Sequence, residues 1–127
     1  MRVFLSHSSA DKESYVRIVA AKLADESAVF DEVTFEAGEV TIDEILRGLD
    51  DSSLFALFIS DKALSSGWVQ KEIAQAELRL ANGSLKAIYP IIIDRTVSFT
   101  DPRIPDWLRD NYNLKLVSRP VIAARRI

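Results

Sequence analysis

The stretch Leu54-Phe55-Ala56-Leu57-Phe58-Ile59 decides the fold class, because it is apolar at every position. A strand with one face in water alternates apolar and polar residues, whereas a central strand of a parallel sheet is covered on both faces. Residues 87–93 have the same continuous apolar character. The sequence therefore predicts two strands that are buried on both faces.

Segments with helical periodicity lie between the predicted strands. Apolar residues recur at helical spacing in residues 16–23, 42–49 and 69–80, which indicates three helices with one buried face each. Polar residues that can cap a helix precede each segment. In chain order, the expected caps are Ser9 or Asp11, then Thr41, then Ser65 or Ser66, and Asn82-Gly83 is expected to end the third helix.

Further short strands are expected at residues 3–5, 28–33 and 114–117. Five strands that alternate with helices indicate an α/β fold, a flavodoxin-like open five-stranded parallel sheet with helices on both faces. In the order 2-1-3-4-5, ligands bind at the carboxyl ends of strands 1 and 3. A site is therefore expected where residues 6–9 meet the segment that starts at Ser60.

Composition excludes several classes of protein. The 127 residues fit one domain, 1–127, and the absence of cysteine excludes a disulfide scaffold and a thiolate zinc site. Only carboxylates could join the single histidine, His7, so no metal is expected. A net charge of -3 predicts no nucleic-acid partner. The apolar runs are too short to span a membrane, so no membrane partner and a cytoplasmic location are expected.

Common catalytic motifs are missing. The chain has no phosphate loop, no dinucleotide fingerprint and no nucleophile elbow. A phosphate-accepting receiver domain would need acidic residues after strand 1, where this chain has Ser6-His7-Ser8. His7 is not expected to form a hydrolase triad with those serines, because neighbours in an extended segment point to opposite faces. Asp31, near the end of strand 2, could cap the strand or contact a ribose.

The third predicted helix carries the most informative pair. Trp68 and Glu72 are four residues apart and share one helix face. Glu72 lies one step from the apolar stripe of that helix, at the margin of the core and near the predicted site. Spacing alone favours a structural interpretation, in which Glu72 is a boundary residue beside a tryptophan that closes the helix end, over a catalytic one.

Five segments together resemble the TIR (Toll/interleukin receptor) domain, in its bacterial form, over essentially the whole chain. The most specific is Ser60 through Ser66-Gly67-Trp68-Val69-Gln70-Lys71-Glu72-Ile73, which matches the family's S…W-x-x-x-E helix. The others are Val3-Phe4-Leu5-Ser6-His7-Ser8-Ser9-Ala10-Asp11, Phe30-Asp31 through Glu36-Ala37-Gly38-Glu39, Pro90-Ile91-Ile92-Ile93 and Ile104-Pro105-Asp106-Trp107-Leu108. The family's aromatic third box is not evident around residues 111–118.

The resemblance implies one of two functions. Many bacterial TIR domains cleave NAD+ to nicotinamide and ADP-ribose or a cyclic variant, and the glutamate of the W-x-x-x-E helix, here Glu72, marks that class. Others are scaffolds that bind TIR domains without turnover. For the NADase, Glu72 is the expected catalytic residue, and NAD+ is the substrate, with no cofactor. The expected substrate-binding residues are Ser6, His7, Ser8, Phe30, Asp31, Gly38 and Trp68.

The resemblance also implies partners. In the family the BB loop, here Glu36-Ala37-Gly38-Glu39, contacts the next TIR domain in an assembly, and such head-to-tail contacts build open filaments. By analogy we expect an effector module of bacterial defence against phage. Ser118, at a cap position, and Pro120 begin a helix that the chain does not complete in the usual length. The domain is therefore expected to be the N-terminal fragment of a longer protein that carries a sensor domain.

Overall fold

Four parallel strands form one sheet in the computed structural model, which describes residues 2–26, 31–33 and 53–127. The strands are β1 (Arg2–Ser6), β2 (Asp31–Val33), β3 (Leu54–Ile59) and β4 (Ala87–Ile92). Their order is β2-β1-β3-β4, and all three pairings are parallel. The predicted parallel α/β sheet is thus confirmed, with β1 and β3 in its middle.

Alternation along the central strands divides the core into two layers. Phe4 points to one side, where its ring stacks on Phe55 with centroids 5.6 Å apart, whereas Val3 and Leu5 point to the other. All six residues of β3 are buried, as the continuous apolar run predicts. Each layer is covered by helices, so the expected helices on both faces are present.

Five α-helices occur within the described ranges. They are α1 (Arg17–Glu26), α2 (Asp61–Leu64), α3 (Gly67–Ala81), α4 (Asp106–Asn111) and α5 (Pro120–Arg126). The layer that contains Phe4 is covered by α2, α3 and α4, and the opposite layer by α1 and α5. The helix predicted over 42–49 lies outside the described residues. None of the described helices is long and apolar enough to cross a membrane.

Helix starts differ in part from the sequence prediction. A 3-10 turn (Ser9–Asp11) and a π-helical turn (Lys12–Val16) lead into α1. Ser8 caps the 3-10 turn, and its side chain accepts a hydrogen bond from the Ala10 N–H at 3.2 Å. Asp11 occupies the cap position of the π-helical turn, but its side chain makes no capping hydrogen bond. Ser8 has the extended backbone that a cap requires, whereas Ser9 already lies inside the turn. The expected cap at Ser66 is confirmed, and its hydroxyl accepts from the Val69 N–H.

The last helix also begins later than expected. Its cap position is Arg119 and not Ser118, because Pro120 is the first helical residue and the residue before a proline avoids the helical region. Ala123 and Ala124 of α5 are buried in the layer shared with α1. Tyr15 reinforces this end of the chain, since its hydroxyl donates to the Val117 carbonyl at 2.5 Å.

The fifth strand, expected at 114–117, is reduced to one bridge between Leu116 and Ile92. The Ile92 N–H donates to the Lys115 carbonyl, and the Ile92 carbonyl accepts from the Val117 N–H. Two residues earlier on the same edge stands Pro90, which has no N–H to continue the ladder. A cavity of about 350 Å³ lies beside β4 instead, lined in part by Pro90, Tyr112 and Lys115.

Candidate active site

Three consecutive polar residues are buried at the carboxyl end of β1. They are Ser6, His7 and Ser8, and all are less than a tenth exposed. The His7 Nδ1 lies 2.7 Å from the carbonyl of Leu5. A carbonyl only accepts, so Nδ1 carries the proton in this contact and fixes the orientation of the ring. The expected polar segment at the end of strand 1 is therefore an ordered part of the core.

Helix α3 brings Glu72 to the same place. Its buried stripe contains Val69, Ile73 and Ala76, and Glu72 is buried with them at 5% exposure. The Ser6 hydroxyl donates to Glu72 Oε1 at 2.7 Å. Glu72 is therefore inside the core, not at its margin as the spacing of the helix predicted.

Burial changes the acidity of Glu72. Loss of solvation raises the pKa of its carboxyl from 4.5 to about 7, and the hydrogen bond from Ser6 opposes that rise. At neutral pH the ionised and neutral forms are thus present in comparable amounts. Such a group can exchange its charge state near physiological pH, which is typical of functional carboxylates.

Trp68 lies one helical turn before Glu72. Its ring is half-buried and packs against the core layer that contains Phe4. The ammonium of Lys71 lies 4.8 Å from the ring centroid, within the range of a cation–π contact. The indole thus forms an aromatic wall between the core and the surface next to Glu72 along the helix.

A second set of contacts joins the ends of β1 and β3. The Ser60 hydroxyl donates to Asp11 Oδ2 at 2.5 Å and accepts from the Ala63 N–H at 3.0 Å, which caps α2. The sequence predicts Ser60 at the site, but it does not predict Asp11 as the partner of Ser60. The adjacency of parallel strands 1 and 3 was the signal that could have found this pair.

A hydrogen bond also joins the segment after β4 to the segment after β3. Asp94 Oδ2 accepts from the Asp61 N–H at 3.0 Å, and that bond is the largest cause of the lowered pKa of Asp94. Arg103 contacts both Asp61 and Asp101, at 3.0 and 2.9 Å. Residues that follow three neighbouring strands are therefore connected around the site by hydrogen bonds and ion pairs.

Not all of the other predicted site residues can be placed beside Ser6 and Glu72. Phe30, Gly38 and the loop 36–39 lie outside the described residues. Asp31 is the first residue of β2 and pairs with Arg2 at the amino end of β1. It therefore lies at the amino ends of the strands, whereas Ser6 lies at the carboxyl end of β1. In the part of the chain that the structure describes, no three histidine or acidic side chains are grouped as a metal site would require.

Comparison with known proteins identifies the family. A family model described as "TIR domain" matches residues 3–122. The chain is 36% identical over 115 residues to NAD(+) hydrolase TirS of Staphylococcus aureus (strain MSSA476), covering 88% of this chain and 40% of that protein. It is 32% identical over 91 residues to 2' cyclic ADP-D-ribose synthase AbTIR of Acinetobacter baumannii (strain 1295743), covering 70% and 34%.

A third relative is the probable 2' cyclic ADP-D-ribose synthase TcpB of Brucella abortus (strain 2308), 28% identical over 119 residues, with 90% of this chain and 47% of that protein covered. The chain thus spans less than half the length of each of these relatives. The match to the family model covers nearly all of the sequence. The chain belongs to the TIR domain family.

Proposed function

We propose that this domain is an NAD+ glycohydrolase that breaks the bond between nicotinamide and ribose, with Glu72 as its catalytic carboxylate. One observation carries the proposal: a glutamate of the W-x-x-x-E helix is buried at the carboxyl end of β1, hydrogen-bonded to Ser6. The names of the relatives, a NAD(+) hydrolase and two cyclic ADP-ribose synthases, support it.

A single carboxylate suffices for this chemistry. Glycosidases commonly need one acid to protonate the leaving group and one carboxylate opposite the oxocarbenium-like centre. Nicotinamide in NAD+ is already cationic and leaves as a neutral molecule, so no acid is needed. The ionised Glu72 then stabilises the positive charge that develops on the ribose, and water or a ribose hydroxyl completes the reaction.

The remaining residues receive roles from their positions. Trp68 lines the nicotinamide-ribose end, one turn from Glu72, and His7 and Ser8 contact ribose or phosphate. Phe30 and Gly38 remain predictions for the pocket edge. Asp31 is left out of the proposed site, because its place beside Arg2 is remote from the carboxyl end of β1.

The biological setting is also a proposal. We place the domain in a bacterial defence system against phage, in the cytoplasm, where NAD+ depletion kills the infected cell. Activation occurs by assembly, in which the loop 36–39 of one copy contacts the next, and a sensor domain elsewhere in the protein controls it. The greater length of the relatives leaves room for such a domain. Both linear and cyclic products are compatible with the names of those relatives.

The test measures nicotinamide release from NAD+ by purified, concentrated protein, with and without a crowding agent that promotes assembly. We expect Glu72→Gln to lower the rate by about 100-fold or more, because the charge that stabilises the transition state is lost. Glu77→Gln, an exposed glutamate on the same helix, is the matched control and keeps the wild-type rate. Chromatography of the products separates ADP-ribose from its cyclic form.

Equal rates for wild type and Glu72→Gln would refute the proposal. A domain that assembles but leaves NAD+ intact under crowded conditions would be a TIR scaffold, which is the alternative function.

A further inference from the structure

We infer that Ser6 is a positioning residue for Glu72: the Ser6 hydroxyl donates to the carboxylate and holds it in one orientation. The effect of Ser6 on catalysis rests on the proposed function, in which Glu72 is the catalytic carboxylate. The contact itself is structural, and it differs from the sequence expectation that Ser6 binds ribose or phosphate.

The fold places Ser6 for this task. Alternate residues of β1 point to the same face, so Ser6 lies on the side of Phe4, beneath α3. Ser6 is 1% exposed, and its Oγ lies 2.7 Å from Glu72 Oε1. The two residues are 66 positions apart in sequence, so the contact exists only in the folded domain.

The chemistry of a hydroxyl limits what else Ser6 can do. It has one proton to donate and two lone pairs that accept. That proton is donated to Glu72, so Ser6 has none left for a phosphate oxygen, which only accepts. Its remaining capacity is to accept from a ribose hydroxyl, which would bring the reacting sugar next to the carboxylate.

The other titratable and charged groups near α3 are the possible competitors for control of Glu72. Within the described ranges α3 packs chiefly against β1, β4 and α2, and its core layer also includes apolar residues of β3 and α4. Tyr89 is the titratable residue of β4, and β1 is followed by His7, whose Nδ1 faces the Leu5 carbonyl. The charged residues of α2 are exposed, and Asp61 is paired with Arg103. On α3 itself, Lys71 lies over Trp68.

The influences on the Glu72 pKa agree with this arrangement. Burial raises it, and the Ser6 hydrogen bond is the opposing influence among the described residues. A hydrogen bond to the charged form of an acid favours ionisation. Removal of the hydroxyl should therefore raise the titration midpoint of Glu72 by about one to two pH units.

The experiment follows the side-chain carboxyl of Glu72 by ¹³C NMR as a function of pH, with the Glu72→Gln spectrum to assign the signal. We expect the midpoint to move from about 7 in the wild type to roughly 8 or above in Ser6→Ala. Ser6→Thr keeps the hydroxyl and restores the wild-type midpoint. Ser8→Ala removes a neighbouring buried hydroxyl that bonds to Ala10 instead, and it leaves the Glu72 midpoint in place.

The pH profile of nicotinamide release is the second readout. In Ser6→Ala the rise of kcat/KM with pH should shift upward by the same amount as the NMR midpoint, so that activity near pH 7 falls about tenfold and recovers in alkali. Ser6→Cys, with a weaker donor, gives an intermediate shift and serves if Ser6→Ala does not fold.

The outcomes separate the two proposals. An unchanged Glu72 midpoint in both Ser6→Ala and Ser6→Cys overturns the positioning role, whatever the activity. A displaced midpoint in a protein that does not cleave NAD+ supports the contact between Ser6 and Glu72 and overturns the glycohydrolase. Loss of activity in Ser6→Ala at every pH, with the NMR midpoint unmoved, would make Ser6 a substrate contact and overturn the inference.

Discussion

Replacement of Glu72 by glutamine should make the stability of the domain less dependent on pH. In the unfolded chain the Glu72 carboxyl ionises with its ordinary pKa of 4.5, whereas burial raises that pKa to about 7 in the folded state. Between these values the folded state binds more protons than the unfolded state. The contribution of Glu72 to the free energy of unfolding therefore falls as pH rises through this window and is constant above it.

The magnitude follows from the two pKa values. Each pH unit between them is worth about 1.4 kcal/mol, so ionisation of Glu72 costs the fold about 3 kcal/mol at pH 8. About 2.5 kcal/mol of this cost develops between pH 5 and pH 8. Glutamine has nearly the same shape and an amide oxygen that can accept from Ser6, but it has no charge to desolvate.

Urea unfolding of both proteins at pH 5 and pH 8, followed by circular dichroism, tests this reasoning. Relative to the wild type, Glu72→Gln should gain about 2.5 kcal/mol between pH 5 and pH 8, which moves the urea midpoint by roughly 1 to 2 M. The comparison between two pH values cancels any constant cost of burying the amide. Glu77→Gln, exposed on the same helix, should show a gain below about 0.5 kcal/mol. If the free energy of unfolding had the same pH dependence in wild type and Glu72→Gln, the pKa of Glu72 would not be raised in the folded state, and the argument would be refuted.

Two further substitutions test contacts that hold the framework around the site. Tyr15→Phe removes the donor to the Val117 carbonyl and should lower the free energy of unfolding by about 1 to 2 kcal/mol in urea titrations, whereas a change within error would show that the carbonyl finds another partner. Ser66→Ala removes the cap of α3 and should cost about 1 kcal/mol, measured by the same titration, and equal stability of variant and wild type would contradict the assigned cap.

Properties that depend on local pattern were predictable from the sequence. The continuous apolar run of 54–59 gave a fully buried strand, and the helical spacing of 69–80 gave α3 together with its cap at Ser66. The polar segments after β1 and β3 fell at the predicted edge of the sheet. Each of these follows from the residues of one segment and the geometry of one element.

Properties that depend on distant partners were not predictable. The spacing of its helix predicts Glu72 at the margin of the core, because that spacing does not reveal that Ser6, on a separate strand, donates to the carboxylate. The sequence predicts a cap at either Ser9 or Asp11, but in the fold the Asp11 carboxylate accepts from the Ser60 hydroxyl. The reduction of the strand expected at 114–117 to a single bridge could be predicted only by knowing that Pro90 lies on the side of β4 that this strand would pair with. In each case the deciding residue is remote in sequence.

The hydrogen-bond partner of Glu72 supports the proposed catalytic role over a purely structural one. A buried carboxylate that serves the fold is ordinarily paired with arginine or lysine, because an unpaired charge is costly to desolvate. No lysine or arginine of the described residues contributes to the pKa of Glu72, and its hydrogen-bond donor is a neutral hydroxyl. A cationic partner would stabilise the fold, but it would also neutralise the charge that the proposed reaction uses and repel the cationic nicotinamide ring. In the proposed reaction Ser6 orients the carboxylate without cancelling its charge, so the desolvated charge that costs the fold stability would be the charge that stabilises a positively charged transition state.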